Sequence, residues 1–368
     1  MLNRIIDFSL QRRGFVIFAT LLLAIAGVWS ATRVAIDAVP DITSPQVQIN
    51  TPVAALAPEE TETLITVPIE MEMSGLPGLT ELRSLSRFGL SQVTMTFQDG
   101  ADIYRLRQLV TERLAHAQER LPAGIVPSLA PISTGLGEIV YYTVRFRADA
   151  PDRPADRADQ LRALRHLHDF TIKPLLRATP GLAEVNAIGG YERQIVIEPD
   201  SRKLADAGVS FDQLAEVITR STENAGGGLL ELGAEAIVVR ADTRVRTLEE
   251  LANLPVKFIG AAHPLLVRDL ASVGIGSAVR TGASTEDGEE TVTGAAVMLA
   301  GGNSRLVARA AVARLKEIQD KLPPGIELRV VYDRSDLVHR TIRTVGTNLF
   351  EGAVLVAAIL FALLGHWR

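Results

Sequence analysis

RLAHAQERLPAGI runs from Arg113 to Ile125, and RLKEIQDKLPPGI runs from Arg314 to Ile326. In register the two phrases share Arg, Leu, Gln, Leu, Pro, Gly and Ile, while Glu119/Asp320 and Arg120/Lys321 keep their charge. A phrase written twice marks a repeated supersecondary unit, and each copy has to bury the same face. Val110, Leu114, Ala117 and Leu121 step by three or four, as do Ala311, Leu315, Ile318 and Leu322, which predicts one apolar helix face in each copy.

The punctuation around the first phrase spells out a whole unit. Val47 to Val53 alternates as a strand, and Pro58-Glu59-Glu60 opens a helix with proline in its first turn and carboxylates at the positive end of its dipole. Pro68 lies inside that helix and is expected to kink it, and Gly75 with Pro77-Gly78-Leu79 ends it. Leu79 to Leu85 and Leu90 to Phe97 read as strands, Asp102 caps the next helix, and Ile125 begins a further strand. The order predicts a split βαβ (βαββαβ) sandwich of ferredoxin-like type.

PGLTEL at Pro77 recurs as PGLAEV at Pro180, after a helix expected over about Asp159 to Arg177, so a second unit starts over with Glu138 to Phe146 as its first strand. Its closing phrase arrives late, which places an insertion at about Gly189 to Glu290. Within it, Leu229 to Arg240 reads as a hairpin with a glycine-rich base. Neither Asn224-Ala-Gly-Gly-Gly nor Gly274-Ile-Gly-Ser is followed by the Gly-Lys-Ser/Thr of a phosphate cradle.

Two apolar stretches bracket these units. Gly14 to Ala31 is uncharged and long enough to cross a bilayer as a helix, and Arg4, Arg12 and Arg13 orient it with the N-terminus cytoplasmic. Ala24-Ile25-Ala26 mimics a cleavage site, but the apolar run continues past it. Gly352 to Leu364 is apolar too, a helix begun at Asp336 would span, and Gly365-His366-Trp367-Arg368 suits a cytoplasmic return. The expected plan is membrane helix over 1–36, first unit over 37–134, second unit over 135–188 and 291–332, inserted module over 189–290, and membrane helix over 333–368. With no cysteine there is no disulfide, zinc knuckle or thiol catalysis, and a net charge of -5 gives no reason to expect nucleic acid. Without a nucleophile or metal cluster at a telling spacing, an extracytoplasmic enzyme is disfavoured, whereas a two-span receptor shares the hydropathy.

The segments DAVPDITSPQVQINTPVAALAPEETETLITVPIE, GLPGLTELRSLSRFGLSQVTMTFQDGADIY, PISTGLGEIVYYTV, PGLAEVNAIGG and NLFEGAVLVAAILFALLGHWR closely resemble the heavy-metal efflux branch of the resistance-nodulation-division (RND) permeases, with cobalt-zinc-cadmium exporters (CzcA-like) nearest. The resemblance implies an N-terminal part of a proton-driven, multi-pass exporter of the bacterial inner membrane with a large periplasmic part. The two units would be porter subdomains and the insertion a docking subdomain, its hairpin reaching a neighbouring protomer. A homotrimer, a periplasmic membrane-fusion adaptor and an outer-membrane channel are the implied partners. No resident cofactor is implied, a divalent zinc, cobalt or cadmium ion is the implied cargo, and the proton-relay residues are expected beyond Arg368. A related exporter of organic compounds is the alternative.

Glu138 and Asp169 match positions where zinc-exporting relatives place metal ligands, and hard carboxylates suit a divalent ion that must later be released. The competing readings are a strand-edge charge and a solvated helix face; Glu184 is a weaker candidate. His166 and His168, like Met71 and Met73, stand two apart and are expected on different sides of a helix. Met95 and Met298 fall in predicted strands, and Glu351 is expected at the membrane interface. Few methionines and plentiful carboxylates favour a borderline divalent ion over copper(I) or silver.

Overall fold

Alternation along the chain builds the first sheet. The computed structural model of the chain describes residues 11–33, 43–53, 56–222, 225–232, 235–241, 244–259, 263–280 and 282–364. Strands β1 (Gln46–Pro52), β2 (Leu79–Arg87), β3 (Leu90–Phe97) and β4 (Ser128–Leu129) pair antiparallel in the order β2-β3-β1-β4. Every second residue of β3 turns inward, so Val93, Met95 and Phe97 meet Leu106, Val110, Leu114 and Ala117 of the Ile103–Gln118 helix and Ile65, Ile69 and Met73 of the preceding one. Each of the larger side chains contributes about 1.5–3 kcal/mol by leaving water. The Asp102 carboxylate accepts from the Tyr104 amide at 2.9 Å, capping the helix as expected. The closing strand is shorter than the sequence predicts: pairing begins at Ser128, past Pro127, which has no N–H to donate to a ladder.

The second unit repeats that strand order with the insertion spliced in. The chain runs through β5 (Glu138–Phe146) and β6 (Leu182–Ile188), then through the inserted strands β7 (Arg193–Pro199), β8 (Ala225–Leu232), β9 (Glu235–Ala241), β10 (Pro255–Ile259), β11 (His263–Leu266), β12 (Ala271–Ser277) and β13 (Ser284–Glu286), and returns in β14 (Glu289–Met298) and β15 (Ile326–Asp333). β6 pairs with β14, β14 with β5 and β5 with β15, all antiparallel, so the order along the sheet matches the first unit's. The Ser304–Gln319 helix, capped by Asn303, lays Val307, Ala308, Ala311, Leu315 and Ile318 on this sheet.

The repeated phrase is a repeated turn. After each helix the Ile125 and Ile326 amides donate to the Pro122 and Pro323 carbonyls, at 3.2 and 3.3 Å. Gly124 and Gly325 sit at φ of 86° and 87°, a conformation that glycine adopts without steric cost.

A second parallel is a widened turn in the first helix of each unit. The helix opening at Pro58–Thr61 passes through a π segment, Glu62–Thr66, before Val67–Met73, and Arg157–Leu167 passes through His168–Ile172 before Lys173–Arg177. The Val67 and Lys173 amides reach five residues back, to the Glu62 and His168 carbonyls. Pro68 and Pro174 follow immediately, and the widened turn absorbs the missing N–H and the ring that would strike a carbonyl four residues earlier. The helix expected over Asp159 to Arg177 is therefore interrupted.

The inserted module has its own core of Leu204, Val209, Leu214, Val267, Leu270 and Ala271, and β7 and β12 form its base ribbon. β8 and β9 make the expected hairpin, whose tip at 233–234 and base at Asn224 lie outside the described residues. Among the described residues one helix, Arg334–Leu363, is long and apolar enough to cross a membrane; Arg13–Gly27, within the Arg13–Arg33 helix, is apolar but shorter. The second of the two expected spans thus meets the length and composition criterion while the first falls short of it, and Gly365 to Arg368 lie outside the described residues. β15 runs into the Arg334–Leu364 helix with no residue between them, and Arg334, Ser335 and Val338 are buried at the junction.

Candidate functional site

The widened turn in the second unit decides what its polar residues meet. His168 is fully buried there, while His166, on the exposed side, lies tilted against Phe170 at 4.6 Å between ring centroids. Met73 is likewise buried and Met71 exposed, so neither pair converges. His168 Nδ1 lies 2.9 Å from Asp169 Oδ1. A carboxylate only accepts, so Nδ1 carries the proton, and Nε2 of the neutral ring accepts from the Tyr142 hydroxyl at 3.0 Å. Burial, and next the charge of Asp169, push the Tyr142 hydroxyl far above its ordinary pKa, so it remains a donor. Arg165 completes the chain of contacts: Nε donates to Asp169 Oδ2 at 2.6 Å and Nη1 to the Gly189 carbonyl at 2.9 Å.

Both oxygens of Asp169 are therefore engaged. Burial raises its carboxyl pKa, but the hydrogen bonds from His168 and Arg165 and the charge of Arg165 outweigh that and hold it below the ordinary value. A carboxyl lowered in the folded state stabilises the fold above its unfolded pKa of about 3.9, and loses that contribution as pH falls through the folded value. Thermal unfolding of the chain is accordingly expected to show the wild type more stable than Asp169→Asn at neutral pH, with the gap closing below about pH 4. A gap independent of pH would contradict this assignment.

Glu138 opens β5 elsewhere in the unit and is exposed. It accepts a short hydrogen bond from Tyr141, whose hydroxyl is pushed up to about 12 by burial and then by the Glu138 bond and charge. Tyr141 in turn lies against Tyr332, 5.6 Å between ring centroids. The loop before Glu138 is pinned: the Gly137 amide donates to the Thr134 carbonyl, Gly137 accepts from Met298, and Arg334 donates to the Leu136 carbonyl. Glu184 is paired with Lys173 at 3.2 Å and Arg177 at 3.7 Å, and Glu351 is exposed on the apolar helix. Met95 and Met298 are buried in their strands, as expected. Among the described residues no three His, Asp or Glu side chains gather tightly enough to hold a metal ion, and the two carboxylates have different partners, Tyr141 for Glu138 and His168 with Arg165 for Asp169. Sequence reasoning missed Arg165 and Tyr142. The i,i+4 spacing of Arg165 and Asp169 was a usable signal, whereas the pairing of Tyr142 with His168 depends on sheet register.

A model of the AcrB/AcrD/AcrF family matches residues 5–368. The chain is 47% identical over 369 residues to Protein HelA of Legionella pneumophila, covering 100% of this chain and 35% of that protein. It is 44% identical over 371 residues to the cobalt-zinc-cadmium resistance protein CzcA of Cupriavidus metallidurans, covering 100% of this chain and 34% of that one. A crystal structure of a heavy metal efflux pump superposes with a TM-score of 0.86 at 33% identity, over 98% of this chain and 35% of that one. The chain thus spans about a third of the length of the relatives it matches. With the family matched along nearly its whole length and the fold shared with a solved pump, the chain belongs to the AcrB/AcrD/AcrF family of RND permeases.

Proposed function

We propose that this chain is the N-terminal part of a proton-driven inner-membrane exporter of divalent heavy-metal cations of the zinc, cobalt and cadmium type. The observation that carries the reading is the duplicated strand order, with a module spliced at one point of the second copy and an apolar helix leaving the last strand directly. In this reading the copies are ferredoxin-like porter subdomains on the periplasmic side, the insertion is the docking subdomain, and Arg13–Arg33 and Arg334–Leu364 are both membrane helices. The permease works as a homotrimer with a membrane-fusion adaptor and an outer-membrane channel. Names of relatives such as CzcA support the cargo class.

Glu138 and Asp169 are proposed as separate contacts along the cation's route. Glu138 is solvent-accessible and needs only to exchange Tyr141 for the ion; Asp169 must first lose Arg165. The test joins this chain to the remaining two thirds of a relative in a metal-sensitive host and measures survival. Protection against zinc, cobalt or cadmium is expected, with at least about a tenfold loss of zinc tolerance in the Glu138→Ala, Asp169→Ala double variant, as deletion of charged ligands entails. Protection against silver or copper alone would overturn the cargo, and an unchanged double variant would remove both residues from the route.

A further inference from the structure

Arg165 holds two things with one planar fork: the carboxylate of Asp169 and the carbonyl of Gly189. Gly189 and Gly190 form the crossing from the second porter unit into the inserted module, between β6 and β7. Both adopt left-handed conformations, at φ of 78° and 70°. They are also pressed into place: a Cβ on Gly189 would come within 2.7 Å of the Thr291 carbonyl oxygen, and one on Gly190 within 2.6 Å of the Val292 side chain and 3.0 Å of Arg165 Cβ. The crossing therefore has no slack of its own, and the Arg165 fork ties it to the helix that carries Asp169.

On the other side of the fork lies a cavity of about 270 Å³ lined by Arg165, Gly189, Gly190, Glu192, Val279 and Arg280, among others. Among the described residues the Glu192 carboxylate has no ion pair, whereas Arg280 is held by Glu290 and Tyr191. A guanidinium leaving Asp169 thus has both room and a second carboxylate available.

We infer that Arg165 is an exchangeable clasp: a divalent cation taken up by Asp169 displaces the guanidinium toward Glu192, which frees the Gly189 carbonyl and loosens the crossing into the inserted module. The chemistry is competition for Oδ2: a divalent cation on the half-buried Asp169 carboxylate replaces the guanidinium as its counter-charge and repels it. Cargo occupancy at Asp169 is thereby converted into freedom of the module, through one side chain with two resting places. This inference rests on the proposed cation route at Asp169.

Hydrogen exchange of the peptide spanning Asn186 to Arg193 tests it, with the full chain in detergent and Zn²⁺ alone as the probe. Zn²⁺ is expected to speed exchange by about tenfold or more, the factor set by loss of a charge-assisted hydrogen bond, and Arg165→Gln is expected to do the same without metal. Arg165→Lys covers the case in which the glutamine variant fails to fold. A lysine keeps one charge for Asp169 but cannot hold two acceptors in a fixed fork, so it too should loosen the crossing. Unchanged exchange in Arg165→Lys and in any folded Arg165→Gln overturns the clasp. If a variant loosens the crossing and Zn²⁺ does not, the exchange is overturned; calorimetry then locates the fault, because equal Zn²⁺ affinity of the wild type and Asp169→Asn indicts the cation route, and weaker binding by Asp169→Asn indicts the coupling.

Discussion

Gly294→Ala is expected to cost the second unit about 3 kcal/mol or more, the upper end of what overpacking a closed core does. Gly294 stands directly across from Tyr142 in the β14–β5 ladder, and an added Cβ would lie 2.1 Å from the Tyr142 ring. The ring cannot retreat, because it is fully buried and its hydroxyl is held by His168. Moving it would break that bond as well as the packing. Gly135→Ala is the control: nothing lies within 4 Å of the added methyl, and its φ is not in the left-handed region. Thermal unfolding followed by circular dichroism should separate the two variants widely. Equal melting curves would show that the β14–β5 contact is looser than described.

His168→Ala should fall in the same range, about 3–5 kcal/mol. It empties a fully buried site, strands the Tyr142 hydroxyl in an apolar surround and takes a donor from Asp169. The neighbouring His166→Ala should cost little, since that ring is exposed. A double-mutant cycle with Tyr142→Phe is expected to give a coupling of about 1–3 kcal/mol, because the two groups share one hydrogen bond. Additive losses would mean that the bond contributes nothing.

Much of the frame was legible because it depends on local spacing. The apolar steps of Val110, Leu114 and Ala117, the cap at Asp102 and the turn at Gly124 act within a few residues, and each element stands where its pattern places it. Pro68 announced its kink, yet Pro174 carries the same signal in the second unit and passed unread as a break in one long helix. The site was less legible. Asp169 could be nominated from the sequence, but its engagement by Arg165 and His168 follows from the widened turn, which brings residues 165, 168 and 169 together against the sheet. The partnership of Tyr142 and Gly294 depends on strands far apart in sequence, and no local pattern encodes that register. The inserted module's core was hidden for the same reason, since short helices and strands assemble it from across the insertion.

The two strands that carry the chain into and out of the module are neighbours, Arg193 facing Ser277 in one ladder. A graft with adjoining ends can be removed without stretching its host. The chain even contains the patch: in the first unit the strands equivalent to β6 and β14 are joined by Phe88-Gly89 alone, with Gly89 at φ of 81°. Ile188 faces Thr293 in the β6–β14 ladder as Arg87 faces Leu90 in the first unit, so excising the module and closing Ile188 to Thr293 with that dipeptide should leave a continuous hairpin and a folded host sheet. The ancestry this implies is of two equal halves, one of which later accepted a passenger at the tip of a hairpin, where an addition disturbs the fewest existing contacts.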